Sequence, residues 1–155
     1  MDEIKIFNLY DKQEYIEIVS TWIWQEFEHV DLENIIYRTQ HSICNSDIPQ
    51  MFIALQGNVP IAVVSLWRTE LKSRQDLYPW LATLYVMEKY RGNGVAKKMQ
   101  QHVLQVAKQL GYQKIYLTTT LENYYEKSGW HFLEYAPKEN GNITKIYYYI
   151  LNEEG

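Results

Sequence analysis

The stretch YRGNGVAKKM, residues 90–99, places two glycines at alternating positions directly before an amphipathic segment. Glycine has no Cβ and tolerates positive φ, so such a turn lets the backbone approach a ligand closely. If a helix begins after Gly94, its first N–H groups and the positive end of its dipole favour an anion. The stretch therefore predicts a turn that holds a phosphate group at the start of a helix.

The composition predicts one domain over residues 1–155 and argues against several classes of protein. Of the 155 residues, 46% are apolar and 22% charged, which is typical of a globular chain with a single core. Nineteen acidic and fifteen basic side chains give a net charge of −4, whereas a nucleic-acid binder usually has a basic surplus. No apolar run approaches the roughly 18 residues of a membrane span. We therefore expect neither a nucleic acid nor a membrane as partner.

The N-terminus, the cysteine and the histidines indicate where the protein is located and whether it binds a metal ion. The first seven residues, MDEIKIF, begin with acidic side chains, which is not typical of a secretory signal. Cys44 is the only cysteine, so an intramolecular disulfide is impossible, and a cytoplasmic protein is expected. The four histidines have no spacing that matches a metal signature, so no metal ion is expected.

Hydrophobic periodicity predicts a mixed α/β domain with the element order β-α-α-β-β-β-α-β-α-β-β. The predicted strands cover residues 4–10, 51–55, 59–67, 80–86, 114–119, 130–135 and 144–151. The predicted helices lie behind Asp11, behind Asp31, over residues 95–110 with Gly111 as C-terminal cap, and over residues 121–128 with Gly129 as stop. The fourth and fifth strands flank a helix, so they are expected to be parallel, with the glycine turn at the carboxyl end of the fourth.

The first helix carries its own start signal. Asp11 and Glu14 have the spacing of a capping box, with Asp in place of Ser or Thr. The residues behind this box that fall on one helical face, and are expected to be buried, are Tyr15, Ile18, Val19, Trp22 and Ile23.

Two familiar phosphate-binding patterns fail on this turn. A nucleoside-triphosphate loop requires G-x-x-x-x-G-K-[ST], which the chain does not contain. A dinucleotide fingerprint requires G-x-G-x-x-G or a final alanine, but the sixth position counted from Gly92 is Lys97. The phosphate therefore belongs to another class of ligand.

The pattern R-G-x-G-x-A at Arg91–Ala96, between a strand and an amphipathic helix, resembles the pyrophosphate loop of the Gcn5-related N-acetyltransferase (GNAT) family. A second segment, YYEKSGW at residues 124–130, resembles the tyrosine signature of that family, and its Tyr125 stands 34 residues beyond Arg91. The resemblance implies a GNAT-like single α/β domain with a mixed central sheet, whose parallel strand pair splays apart around acetyl-coenzyme A.

The resemblance also implies residues for the donor site. The backbone from Arg91 to Ala96 is expected to hold the pyrophosphate, with Lys97 beside it. Tyr85 and Val86 are expected to pair with the pantetheine arm, and the N–H of Val86 to polarise the thioester carbonyl. The residues assigned to this site are Tyr85, Val86, Arg91, Gly92, Asn93, Gly94, Val95, Ala96, Lys97 and Thr119, the last as an organiser of the backbone before Tyr125.

The catalytic groups implied by the resemblance are an acid and a base. Tyr125 matches the tyrosine that protonates the departing thiolate, and a phenol with a pKa near 10 is protonated at neutral pH. The strand before the turn carries no carboxylate, so Glu26 is the preferred base. Glu28, His29 and Asp76 are the further candidates for the base. Alternatively, Glu26 and Glu28 are solvated charges at a helix end.

The expected function is transfer of an acetyl group to a primary amine of a small molecule or peptide, by direct attack in a ternary complex. A longer acyl donor fits the same loop, because the loop contacts only the pyrophosphate. A protein of another class, a non-catalytic acyl-coenzyme A sensor or interaction module, fits the same fold. The acceptor is expected to contact residues 21–38 and 68–80, and the protein to be a monomer or a homodimer.

Overall fold

The computed structural model describes residues 3–152, so residues 1–2 and 153–155 of the predicted domain lie outside it. Within the described part the chain forms three α-helices and seven strands. The helices are α1 (Ile16–Glu26), α2 (Leu32–Gln40) and α3 (Val95–Gln109). The strands are β1 (Ile4–Asn8), β2 (Gln50–Gln56), β3 (Val59–Trp67), β4 (Trp80–Val86), β5 (Lys114–Thr119), β6 (His131–Pro137) and β7 (Ile143–Ile150). None of the described helices is long and apolar enough to cross a bilayer.

All seven strands form one mixed sheet in the order β1-β2-β3-β4-β5-β7-β6. Neighbouring strands are antiparallel except β4 and β5, which are parallel. The parallel pair meets at Trp80 opposite Tyr116 and separates toward the carboxyl ends of the two strands. The predicted fold class and its splayed strand pair are therefore confirmed.

A β-bulge bends β4 where it leaves β5. Ser65 of β3 lies opposite Ala82, but Val63 lies opposite Tyr85, so β4 has one residue more than β3 between these pairs. The bulged Thr83 has φ +48°, and its hydroxyl is 2.5 Å from the hydroxyl of Ser65. Because a bulge bends and twists the strand that carries it, it contributes to the opening between β4 and β5.

Helices cover both faces of the sheet, and the alternation of β2 shows how. Phe52 and Ala54 pack in the cluster beneath α3, whereas Met51, Ile53 and Leu55 pack in the cluster beneath α1 and α2. Successive side chains of a strand point to opposite faces, so this near-continuous apolar strand contributes to two cores. The buried residues of α3 are Val95, Met99, Gln100, Val103 and Ala107.

The start of α1 differs from the prediction. Two 3₁₀ turns, Leu9–Asp11 and Gln13–Tyr15, precede the helix, and Asp11 lies inside the first of them. The capping residue is Asn8, whose side chain accepts a hydrogen bond from the Tyr10 N–H at 2.9 Å. The predicted capping box is therefore wrong, because the chain caps a 3₁₀ turn before the α-helix begins. Of the predicted buried face, Val19, Trp22 and Ile23 are buried, whereas Ile18 is 37% exposed and Tyr15 is half-buried.

The predicted helix over residues 121–128 is also wrong. Only Glu126–Ser128 forms a single 3₁₀ turn, and Asn123 has φ +55°. A residue in the left-handed region interrupts an α-helix, and asparagine tolerates that region better than most. The segment that carries Tyr125 is therefore an irregular loop, and it ends at Gly129 as predicted, with φ +95°.

Candidate active site

The separation of β4 from β5 leaves two adjoining cavities, of about 820 and 570 Å³. The glycine turn and the start of α3 line the smaller one, and the loop after β3 lines the larger one. Phe27, Leu84 and Tyr125 line both cavities, so these residues lie where the two meet. The arrangement can hold two ligands whose ends meet at Tyr125.

The smaller cavity has the features of an anion site. Gly92 and Gly94 have φ +83° and +80°, and Gly94 is the N-cap of α3 without a side-chain cap. The first N–H groups of a helix have no partner within it, and the helix dipole adds partial positive charge at this end. The N–H groups of Val95, Ala96 and Lys97 are therefore available to a phosphate in this cavity.

Arg91 is directed back toward β4. Its Nε donates a hydrogen bond to the carbonyl oxygen of Val86 at 2.7 Å, and its guanidinium lies 5.5 Å from the centre of the Tyr85 ring. In the same turn, Asn93 donates to the Tyr90 carbonyl oxygen at 3.4 Å. These side chains brace the connection between β4 and α3.

The backbone of Val86 faces the opening between β4 and β5. Residues of an antiparallel pair alternate between hydrogen-bonded and non-hydrogen-bonded positions. The N–H of Met87 donates to Ile61 of β3 at 2.9 Å, so the adjacent pair, Val86 and Ala62, occupies a non-hydrogen-bonded position. The N–H of Val86 therefore points away from β3, toward the place where a ligand along β4 would lie.

Tyr125 is a protonated phenol at the junction of the cavities. Burial raises its pKa to about 12, and the neighbouring Tyr124 adds to that shift. The ring lies 6.1 Å from the ring of Trp130 and 6.4 Å from that of Tyr147, measured between ring centres. At neutral pH the hydroxyl is therefore protonated, and it can donate a hydrogen bond or its proton to a sulfur atom that gains negative charge beside it.

Side chains of β7 hold the loop before Tyr125. Lys145 is 9% exposed, and its Nζ donates to the Leu121 carbonyl oxygen at 2.9 Å and to the Glu122 carboxylate at 2.8 Å. Thr144 donates to the carbonyl oxygen of Thr119 at 3.3 Å. The Thr119 hydroxyl accepts from the N–H of Leu121 at 3.0 Å, and Thr119 is not among the residues that line either cavity.

The larger cavity is lined by charged groups from four parts of the chain. They are Glu28, Arg38, Arg68, Glu70, Lys72, Lys138 and Glu139. Arg38 binds Glu28 with both guanidinium nitrogens, at 2.6 and 3.1 Å, and Lys72 lies 2.9 Å from Glu139. Desolvation, and secondly the carboxylate of Glu28, raise the pKa of Glu70 to about 7. Such a cavity suits a polar or charged ligand.

The candidate bases named from the sequence are separated by the fold. Glu26, at the exposed end of α1, lines the smaller cavity, whereas Glu28 lines the larger one in its ion pair with Arg38. Asp76 is paired with Arg74 at 2.9 Å, and His29 and Asp76 are not among the residues that line either cavity. Across residues 3–152, no group of three or more His, Cys, Asp or Glu side chains is placed to hold a metal ion.

Glu70 was not singled out from the sequence. It lies in the range 68–80 expected to contact the acceptor, but nothing in the local pattern TELKSR distinguishes it from the charges beside it. Its raised pKa depends first on desolvation in the assembled cavity and then on the carboxylate of Glu28, which is distant in sequence. Residues 138–140, which also line the larger cavity, were not expected there either.

Comparison with known proteins agrees with this geometry. The model of the acetyltransferase (GNAT) family matches residues 15–130. N-alpha-acetyltransferase 30 of Schizosaccharomyces pombe is 31% identical over 105 residues, which make up 64% of this chain and 69% of that protein. A solved aminoglycoside 6′-N-acetyltransferase complexed with coenzyme A has a TM-score of 0.76 at 12% identity and covers 99% of both chains.

A second solved structure, the NatC complex bound to Gag peptide and coenzyme A, has a TM-score of 0.71 at 18% identity. The match covers 97% of this chain and 100% of that one. The structural likenesses concern the fold, and the family match concerns the sequence. Because the matched residues 15–130 include both the glycine turn and the segment with Tyr125, the chain belongs to the acetyltransferase (GNAT) family.

Proposed function

We propose that this acetyltransferase moves the acetyl group of acetyl-coenzyme A onto a primary amine, by direct attack with both substrates bound, and that residues 1–155 form a single N-acetyltransferase domain. The observation that carries the proposal is the position of Tyr125, a protonated phenol where an anion-binding cavity meets a charged cavity. Such a junction allows an acyl group held on one side to meet an amine held on the other.

Acetyl-coenzyme A is the co-substrate, in keeping with the acetyltransferase family. In the proposed complex the pyrophosphate lies on the N–H groups at residues 91–97, and the pantetheine arm extends along Tyr85 and Val86. The Val86 N–H then donates to the thioester oxygen, whose negative charge grows during attack. Arg91 holds the end of β4 in place for this contact.

The proposed chemistry uses Tyr125 as general acid. The neutral amine attacks the thioester carbon, a C–N bond forms, and the C–S bond breaks with its electron pair on sulfur. Tyr125 gives its proton to that thiolate and is reprotonated from solvent, while the nitrogen, which is positively charged after the attack, loses one proton to Glu26 or to water and becomes the neutral amide. Glu26 is a proposed base on the donor side, because it lines the smaller cavity.

The proposed acceptor is an amine of a small molecule or of a peptide. Relatives of both kinds share the fold, since one is described as an aminoglycoside 6′-N-acetyltransferase and another as bound to a peptide. The match to an N-alpha-acetyltransferase favours a peptide amine as the first acceptor to test. We also propose a cytoplasmic monomer or homodimer with no nucleic-acid or membrane partner, which fits the composition and the single cysteine.

A donor-depletion screen tests this function. Purified protein is incubated with acetyl-coenzyme A and a panel of peptides, aminoglycosides, polyamines and amino acids, and free thiol is followed, with coenzyme A binding measured in parallel. We expect thiol release that depends on one class of amine. Tight binding of coenzyme A without turnover on any amine would instead favour the non-catalytic sensor, and absence of binding would contradict the donor site.

A further inference from the structure

Glu70 differs from the other carboxylates of the larger cavity. Glu28 is bound by Arg38 and Glu139 by Lys72, so each of these carboxylates already has a cation. Among the described residues, Glu70 forms no ion pair within 4.0 Å. It is therefore the carboxylate of this cavity that can take a cation from a ligand without breaking an existing ion pair.

The surroundings of Glu70 explain why a ligand can reach its carboxylate and why the pKa of that carboxylate is raised. Its side chain is exposed, because it lines an open cavity, but protein on several sides of the cavity reduces the solvation of its charge. The charged groups that face it are Glu28 after α1, Arg38 of α2, and Lys138 and Glu139 after β6. The two carboxylates raise its pKa, the two cations lower it, and desolvation is the larger cause of the rise.

We propose that Glu70 binds the acceptor as an ammonium ion and removes its proton before attack, so that the acceptor is an amine that is cationic in solution. This inference rests on the proposed function and adds to it both a substrate class and a proton acceptor. Loss of one N–H proton to the carboxylate leaves the nitrogen lone pair free for the thioester carbon. The open cavity then lets the protonated Glu70 return that proton to water.

The position of Glu70 separates deprotonation of the ammonium ion from protonation of the sulfur. Glu70 lies on the acceptor side and Tyr125 at the junction with the donor side, so Glu70 takes the first proton of the ammonium before attack and Tyr125 gives a proton to the sulfur, while the second proton of the nitrogen leaves after the C–N bond has formed. A carboxylate with a pKa near the working pH is well suited to this role, because it is both ionised and basic enough to take a proton.

The dependence of kcat/KM on pH tests the inference with two probes. The probes are a tetrapeptide with a free α-amine, of pKa about 8, and Nα-acetyl-lysine amide, of pKa about 10.4. We expect a bell-shaped profile, with a rising limb near pH 7 for both probes and a falling limb that moves with the pKa of the amine. Glu70→Gln is expected to remove the rising limb and to lower kcat/KM at pH 7 by about 10²-fold.

Two control variants show whether the loss of activity is specific to Glu70. Glu17→Gln makes the same chemical change on the exposed first turn of α1, outside both cavities, and is expected to leave the profile unchanged. Glu26→Gln makes the same change at Glu26, the candidate base on the donor side, so that the pH profiles of the two variants can be compared. If the Glu70 variant keeps the rising limb while the Glu26 variant loses it, the inference is overturned and Glu26 is the proton acceptor.

The free protein provides a readout that does not need turnover. With ¹³C-labelled glutamate, the carboxyl signal that disappears in the Glu70→Gln variant is expected to titrate near pH 7, and a midpoint near 4.5 would overturn the inference. If the parent acetylates neither these probes nor any amine of the panel, the proposed function fails and the inference falls with it. If the parent acetylates amines and the Glu70 variant matches it at every pH, only the role of Glu70 is wrong.

Discussion

Tyr125 is the residue on which the proposed acid step can be tested alone. Tyr125→Phe keeps the ring and its contacts with Trp130 and Tyr147 but removes the proton. We expect kcat to fall by about 10²–10⁴-fold with little change in donor affinity, as measured by steady-state kinetics and calorimetry with coenzyme A. Because the pKa of Tyr125 is raised to about 12, its ionisation is not expected to lower the activity up to pH 9.

Tyr124 provides the matched control for this variant. Its ring centre lies 4.8 Å from that of Tyr125, and it lines the smaller cavity but not the larger one. Tyr124→Phe is expected to lower kcat much less. A larger loss in the Tyr124 variant than in the Tyr125 variant would show that Tyr124, and not Tyr125, is the acid.

Glu70 also makes a prediction about stability that is independent of catalysis. Its folded pKa of about 7 lies above the ordinary value of 4.5, so between these pH values the folded state binds more protons than the unfolded state. The free energy of unfolding contributed by this group therefore falls as pH rises through that window. Relative to the parent, Glu70→Gln should become more stable between pH 4.5 and pH 8 in urea denaturation, and a difference that does not change with pH would contradict the shift.

These two residues show what a sequence can reveal at this scale. Tyr125 was recognised because YYEKSGW is a local pattern that stands at a fixed distance from the glycine turn. The raised pKa of Glu70 comes first from desolvation in the assembled cavity and then from the carboxylate of Glu28, and folding brings both about. A pKa shift with these causes leaves no local pattern, so Glu70 could be found only in the structure.

Helix α3 is an element whose two ends can be compared directly. Gly94 at its start and Gly111 just after its end have φ +80° and +96°, and an added Cβ meets open space at both. At the far end, the N–H groups of Gly111 and Tyr112 donate to Lys108 and Ala107, at 3.0 and 3.2 Å. That hydrogen-bond pattern is the Schellman motif, which accounts for the cap predicted there.

Alanine substitutions at the two glycines should separate stability from binding. Gly94→Ala and Gly111→Ala each force a left-handed conformation on alanine, at a cost of about 1–2 kcal/mol in the free energy of unfolding. Only Gly94→Ala places a Cβ where a phosphate would approach, so only it should weaken coenzyme A binding in calorimetry. Equal affinity in the two variants would contradict the placement of the pyrophosphate on this turn.

Strand β7 is expected to act on catalysis through the loop before Tyr125. Lys145→Met keeps most of the aliphatic chain but removes the hydrogen bonds to Leu121 and Glu122. A misplacement of about 1 Å can cost about 10²-fold in rate, so we expect kcat to fall by roughly 10- to 100-fold. The donor KM should change little, because the turn at residues 91–97 is not touched.

The control for this strand is Lys114→Met, which removes an exposed lysine from β5 that lies over the ring of Tyr148. It is expected to leave kcat unchanged, and an equal loss in both variants would indicate a general effect on the sheet.

The loop before Tyr125 also shows why the helix predicted over residues 121–128 does not form. Residues 121–128 have a helical pattern, but Asn123 and the hydrogen bonds from β7 hold them in another conformation, and those bonds depend on tertiary structure.

At the scale of the whole molecule, the sheet was predictable because its periodicities are strong. The hairpin of β2 and β3 and the helix α3 were found close to their observed bounds, and the β4-α3-β5 unit required β4 and β5 to be parallel. The bulge at Thr83 was not foreseen, since a threonine with positive φ is unusual and has no sequence signal. The larger cavity combines residues from Phe27, just after α1, to Asn140, before β7, so its lining follows from the assembled sheet rather than from any one segment.

The two adjoining cavities also predict the order of events in the reaction. Phe27, Leu84 and Tyr125 line the junction, and none of them carries a thiol or amine that could store the acetyl group. We therefore expect intersecting lines in initial-rate plots against both substrates, because both must be bound before transfer. Cys44 lies among the residues between α2 and β2, outside the lining of both cavities, so Cys44→Ser should leave turnover unchanged. Parallel lines, together with a mass increase of the protein after incubation with acetyl-coenzyme A alone, would show instead that a covalent acetyl-enzyme precedes the amine.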